Sequence, residues 1–491
     1  MKKKPIWMLC LILALFGFYA AVGSIDAMEF NGMQVMSGEQ LERLTEGLNR
    51  VRRPQNADTL IELDGHAIPY DQSDNTFYVS QPLEGGEYAG TFTAVGDNCT
   101  IYLQQDDALA DKHSAIAEGH IFTLWFVTEN DYTVFNLIFT GLPVVSICTD
   151  EGSLADEYGR GNIIVQNPDD NDVITMSIKE SVMEAKTNYN SGTISFRLYK
   201  DNFNEERDLS LLGLGKQTSW KLYPVYRKDY SASREMVAFY IWNSICGDST
   251  LQKGMEYAEV IVDGEYRGLY YLAPKVGKGF LDLGEDDRAY ECEELLIDGT
   301  KLYDVVGDDN TPENRRALEE YESLWRAGNH DFTQIDTDNY INYCIYLQAA
   351  CAIQNSVEEY FVIAYEEDGE YIFRRMPGRS KFVFGLYPSA IGWQSVTATE
   401  NIIEDSGYSL MAVQSEDVVQ RTAQRWRELR RNALSTDSLL QIAYACEQRL
   451  ADSGYIVREE EPGAYPTRCD DLHDMIRERM DYLDGYYGNI S

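Results

Sequence analysis

Positive charge is what this chain has least of. Against 81 Asp and Glu residues it carries 42 Lys and Arg, a formal net charge of −39 over 491 residues. Such an excess argues against nucleic acid and anionic lipid surfaces, both of which repel an acidic protein. It fits a solvated extracytoplasmic protein, or one that meets cations or basic partners. Histidine is scarce too: His66, His113, His120, His330 and His473 show no metal-ligand spacing. None of the nine cysteines forms a C-x-x-C pair, which leaves a zinc or redox motif unsupported. No G-x-S-x-G elbow, internal repeat or low-complexity segment is present. Cys10 lies in an apolar run. Several of the other eight sit in apolar stretches, where buried thiols are expected, although an even count outside the cytoplasm also permits disulfides.

What is present begins with Lys2, Lys3 and Lys4, followed by an apolar run from Ile6 to Val22. A basic flank before such a run predicts a secretory signal or an N-terminal membrane anchor over residues 1–27. Cleavage and retention both remain open. In either case the lysines stay inside, and the rest of the chain is secreted or anchored outside the cytoplasm. With 44% hydrophobic and 12% aromatic residues, the remainder can bury two ordinary cores.

Residues 30–148 read as a β-sandwich. Ser37 and Gln40 form a capping box opening a helix to about Val51. Short strands then follow at Thr59–Leu63, Thr76–Ser80, Ile101–Gln104, His120–Val127 and Tyr132–Phe139, broken by Asp64-Gly65, Gly85-Gly86 and Glu129-Asn130-Asp131. The remainder, 149–491, starts with strands and becomes helical. Thr311-Pro312 opens a helix to about Ala327. Tyr340–Gln354 is apolar on nearly every face and predicts a buried helix. Further helices are expected near Glu416–Arg431, Asp437–Ser453 and Cys469–Tyr486.

The most specific signal lies between Ser219 and Val276. Trp220 and Leu222 precede Asp229 and Arg234, which stand five apart at the start of an amphipathic helix. Then come a strand from Tyr257 to Val262, an Asp263-Gly264 turn, and a strand carrying Tyr266, Gly268 and Tyr270. This resembles the CotH kinase family, named for spore coat protein H, whose pattern continues to a Glu where Pro274 stands here. The resemblance covers about residues 140–487. It implies an atypical protein-kinase-like α/β domain with a helical C-terminal part, so the fold class expected for the whole chain is α+β.

The resemblance also implies where phosphoryl-transfer machinery would lie, and at each place this sequence departs from the pattern. The first hairpin, Ile178–Leu198, has Glu180, Ser181, Glu184 and Ala185 where glycines and a cation would cradle phosphates, and only Arg197 remains of its cations. At the end of the buried helix, Gln354 stands for the catalytic aspartate and Glu359 for the asparagine. A slip of one residue would put Asn355 in place of Gln354. Glutamine can position a hydroxyl but cannot take its proton. In the turn from Pro377 to Phe384-Gly385, Arg379 and Lys381 replace the two metal-binding aspartates. Arg197, Arg379 and Lys381 are the candidate anion contacts. The implied function is a pseudokinase acting as a binding or scaffolding module at the cell surface, its cleft closed by Arg379 pairing with a first-hairpin carboxylate or Glu359. No metal or cofactor is expected. Two other readings stay open: an active kinase using Mg-ATP, and a carbohydrate-binding surface protein. The expected partner is a protein or a cell-surface polymer, with the membrane added if the N-terminal segment is uncleaved, and not nucleic acid.

Overall fold

Alternation of apolar and polar residues over Ile121–Val127 and Asp131–Thr140 produces the central hairpin of the first sheet, with Leu124 opposite Phe135 and Phe122 opposite Leu137. The computed structural model describes residues 29–52, 54, 57–96, 98–168, 177–201, 203–295, 301–307, 311–325, 332–386, 397–402, 415–458 and 465–490. The expected signal or anchor, 1–27, lies outside these.

The first module contains a mixed eight-stranded sheet and a three-stranded sheet of Ile61–Leu63, His66–Ala67 and Phe92–Ala94. The two sheets share one core, in which Ile61, Leu63, Phe92, Leu103, Leu124 and Phe135 are buried. Asp64 (φ 51°) and Gly65 (φ 82°) are both left-handed, as a two-residue hairpin turn requires. Ser37 and Gln40 cap the helix Gly38–Leu44 reciprocally. That helix stops short of the expected Val51 because Gly47 turns (φ 87°) and Asn49–Arg50 pairs with the central strand.

Seven strands then close into a barrel around Val145, Ile163, Phe196, Trp220, Leu222, Val260 and Leu272. Its first strand, Val144–Thr149, pairs antiparallel with Gly159–Asn167 and parallel with Glu256–Val262. The module boundary therefore falls near residues 141–143 and not at 148. The link from Thr140 to Val144 is so short, and β-rich on both sides, that composition does not mark it.

The rest is a four-stranded sheet, ordered Lys301–Val305, Arg288–Leu295, Tyr360–Glu367, Glu370–Pro377, packed with helices. At its centre is Thr337–Ala349, buried along nearly its whole length, with Trp242, Tyr343, Tyr346, Trp426 and Ile476 in the same core. The buried helix expected to reach Gln354 ends earlier. Cys351 takes a left-handed conformation (φ 51°), and Gln354–Val357 forms a separate turn of helix. Glu416–Leu429, Thr436–Asp452 and Tyr465–Gly488 are helical, as the periodicity predicts.

The whole is a mixed α+β protein. Among the described residues no helix is long and apolar enough to cross a membrane. Cys246, Cys344, Cys351 and Cys446 are buried, and burial pushes the Cys351 and Cys446 thiols up to about 11.

Candidate functional site

Trp220 is fully buried inside the barrel, its indole donating to the Gln217 carbonyl at 3.2 Å. Pro274, which ends the strand Glu265–Pro274, lies opposite it. Asp229 and Arg234 form a buried pair at 3.1 Å. The Asp229 carboxylate also accepts the Arg234 backbone N–H at 3.2 Å, capping the helix Arg234–Ile245 where Ser233 supplies no side-chain cap. Arg234 Nε donates to the Phe384 carbonyl at 3.4 Å, tying that helix to the Phe384-Gly385 turn.

Asp263 (φ 49°) and Gly264 (φ 73°) make the expected two-residue turn. It faces the first module: Gln72 N–H donates to the Gly264 carbonyl at 2.8 Å. Tyr266 stacks on Tyr78 with centroids 4.9 Å apart and donates to Glu259 at 2.6 Å. Gly268 (φ 86°) sits beside the register shift in this hairpin, and Tyr270 is in the barrel core. These motif residues build the scaffold.

The charged residues meet where the barrel strand Ser219–Pro224 faces the segments after Gln354–Val357 and Glu370–Pro377. Arg379 is buried. Its Nε lies 3.4 Å from Glu235 Oε1, its Nη2 donates to the Pro224 carbonyl, and its guanidinium lies 5.2 Å from the Tyr223 ring centre. The carboxylate partner is thus Glu235, not a first-hairpin acid or Glu359. The hairpin acids are elsewhere: Glu180 lies 3.0 Å from His66, and Glu184 accepts the Tyr199 hydroxyl at 2.9 Å. Their strand is held away from Arg379 by the two barrel strands next to it, Ile194–Tyr199 and Ser219–Pro224.

Burial raises the Glu235 carboxyl above its usual range, opposed by Arg379 and by the Ser380 N–H that donates to it at 3.1 Å. Glu359 holds a left-handed backbone (φ 54°). Its carbonyl accepts the Gly378 N–H at 2.7 Å, and a Cβ at Gly378 would come within 2.6 Å of that oxygen, so the turn requires glycine. The Glu359 carboxyl is pushed up to about 7, by burial first, against the pull of Lys381 and Arg379. Burial, followed by repulsion from Arg379, lowers the Lys381 ammonium.

Gln354 is buried and donates to Glu358 at 2.8 Å, while its Oε1 has no hydrogen-bond partner among the described residues. Asn355 is a structural pin. Its amide donates to the carbonyls of Glu359 (2.6 Å) and Arg379 (3.0 Å), and its Oδ1 accepts the Tyr346 hydroxyl.

Three further residues complete the cluster. Lys221 pairs with Glu291 at 3.1 Å, joining barrel to sheet. Lys253 is 7% exposed and lies between the rings of Phe239 and Phe361, with its Nζ 3.4 Å from the Gly378 carbonyl. Burial lowers that ammonium to about 8. Sequence reasoning missed all three. Lys221 was findable, because it occupies the outward position between inward Trp220 and Leu222. Lys253 and Glu291 leave no periodic signal.

Glu235, Glu291 and Glu359 therefore share this region with Arg379, Lys221, Lys253 and Lys381, and the Glu291 charge adds to the rise at Glu359. Among the described residues no group of three His, Cys, Asp or Glu side chains is placed to hold a metal ion. Arg197, the remaining anion candidate, is not beside Arg379. It lies on the outer barrel face, 3.4 Å from Glu206. A cavity of about 740 Å³ opens elsewhere, lined by Asp248, Asp336, Asp338, Arg374 and Arg421 among others. Its charges are matched internally: Arg374 bridges Asp248 (2.8 Å) and Asp336 (2.7 Å), and Arg421 meets Asp338 at 2.7 Å.

The site is thus a buried, internally paired charge cluster between a barrel and a helical lobe of an α+β protein. No protein-family model matches the chain, and no curated protein matches it.

Proposed function

We propose that this is an extracytoplasmic CotH-like protein of kinase-like architecture whose cleft does not carry phosphoryl transfer and which acts by binding. The observation that supports this is Arg379. A guanidinium occupies the place where the CotH pattern has a metal-binding acid, and it is held by Glu235, the Pro224 carbonyl and the Tyr223 ring. Phosphoryl transfer depends on carboxylate-held divalent metal and open access for the phosphates. A buried cation at that point repels the metal and fills the space. Gln354 lacks the basicity to take a hydroxyl proton.

The test is phosphate incorporation from labelled ATP with Mg²⁺ or Mn²⁺, into the protein itself and into a generic acceptor, alongside a thermal-shift titration with Mg-ATP. We expect no incorporation and no metal-dependent shift. Incorporation that is lost in E359Q would overturn the reading in favour of an active kinase that draws on Glu359 and Glu291.

A further inference from the structure

The cavity of about 740 Å³ opens where the end of the helix Arg234–Ile245 meets the first half of Thr337–Ala349 and one face of Glu416–Leu429. None of its lining residues belongs to the charge cluster at Arg379, so what it binds does not depend on whether that cleft transfers phosphate. Its size falls within the roughly 300–1,000 Å³ of sites for drug-sized ligands, more than a single amino acid fills. One wall is fixed. Arg374 is held between Asp336 and Asp248, and each acid also accepts a backbone N–H, from Asn339 and Thr250 respectively, at 2.9 Å.

The pairs along Glu416–Leu429 are looser. Arg421 meets Asp338 at 2.7 Å with both side chains exposed, and Arg425 stands 3.6 Å from Glu428, beyond hydrogen-bond reach. Exposed pairs of this kind are held weakly, so a ligand's charge can replace either member. Asn342 is different: it is 7% exposed, and its Oδ1 accepts Arg425 Nε at 3.2 Å. Its Nδ2 has no partner among the described residues, and neither has Arg425 Nη2. Burying an amide N–H costs stability unless something supplies an acceptor. Together the amide and the guanidinium offer the donors that a carboxylate takes. Behind them Cys246, Leu251 and Ile341 are buried and apolar.

We propose that this cavity binds a short zwitterionic peptide, about two or three residues long. Its C-terminal carboxylate lies on Arg425 and Asn342, its N-terminal ammonium on Glu428, and an apolar side chain against Cys246, Leu251 and Ile341. Charge selects this ligand class. The four carboxylates lining the cavity outnumber its three guanidiniums, and the negative charge left over disfavours phosphates and dicarboxylates. A ligand that brings one charge of each sign leaves the balance as it is. Among the described residues no aromatic ring lines the cavity, so a sugar finds no flat face to stack on.

The experiment is calorimetry of the full chain with leucyl-leucine, set against its N-acetylated form, its C-terminal amide, inorganic phosphate and maltose. We expect leucyl-leucine to bind, each blocked form to bind roughly tenfold more weakly, and phosphate and maltose to give no binding. R425Q should weaken leucyl-leucine by roughly tenfold and leave the affinity for the amide unchanged. E428Q should weaken leucyl-leucine as well and leave the acetylated form unchanged. Both side chains are partly exposed, so both variants should melt as wild type does. No binding of leucyl-leucine at about 1 mM, equal affinity for the blocked forms, or preference for phosphate or maltose would overturn the proposal. So would an affinity for leucyl-leucine unchanged in both variants.

Discussion

Two buried arginine–glutamate contacts in this molecule look alike and are built differently. At Arg458–Glu259 the carboxylate is fully buried and accepts three donors: Arg458 Nη2 at 2.6 Å, the Tyr266 hydroxyl at 2.6 Å, and the Thr140 hydroxyl. Each donor comes from a separate place: a turn after the helix Thr436–Asp452, a barrel hairpin, and the end of the first module's central strand. At Arg379–Glu235 the carboxylate accepts one backbone N–H and faces Arg379 Nε at 3.4 Å, outside good hydrogen-bond geometry. The difference lies in the carboxylates, since Arg458 Nε and Nη1, like Arg379 Nε, have no hydrogen-bond partner among the described residues, and a buried carboxylate is tolerable when its hydrogen-bonding capacity is filled and costly when it is not. The first contact has the construction of a joint, and the second leaves its carboxylate with a single hydrogen-bond donor.

That contrast can be broken in order of effect. Removing the guanidinium in R458M should be worst, destabilising by about 3–5 kcal/mol, because Glu259 is left buried and charged; urea denaturation measures it. An R458M chain as stable as wild type would show that the joint is ornamental.

R379M should cost less, about 1–3 kcal/mol at pH 8, and less again at pH 5. Glu235 already has a raised carboxyl range, so its contribution to stability falls as pH rises past the usual 4.5, and losing Arg379 raises it further. A cost independent of pH would mean that Glu235 is not the group left exposed to the change.

The smallest effect concerns Glu359, raised from its usual 4.5 to about 7. Between those values the unfolded chain releases the proton while the folded chain keeps it. Stability from this group is therefore full below about pH 4.5 and lost as pH rises to 7. E359Q should be more stable than wild type above pH 7, by on the order of 1–2 kcal/mol after screening, and equal to it near pH 4.5. A flat difference across that range would relocate the raised carboxyl.

Much of the scaffold was legible because it rests on local rules. Asp263-Gly264, Asp64-Gly65 and the Ser37–Gln40 box each need only two to four residues to declare themselves, and strand alternation placed the central hairpin. The site was legible only in part. That Arg379 would pair with a carboxylate was expected from the missing phosphate-cradling glycines and the acids in the first hairpin, but which carboxylate depended on long-range packing. Glu235 is 144 positions away, on a helix whose capping by Asp229 sets its rotation. The module boundary was hidden for the opposite reason: Thr140 and Val144 are so close that two strands of different sheets read as one β-rich stretch.

The joint at Glu259 has a mechanical meaning. A two-lobed enzyme that takes up a substrate and releases a product rocks about a hinge, and such motions often limit its turnover. Here Arg458 and Ser453, from the end of a helix in the helical lobe, grip the barrel through Glu259 and the first module through Thr140 and Gly141. Rolling the barrel against the helices would pull on a carboxylate held from three directions and drag more than a hundred residues of a third body along with it. A single carboxylate thus ties barrel, helical lobe and first module together at one point.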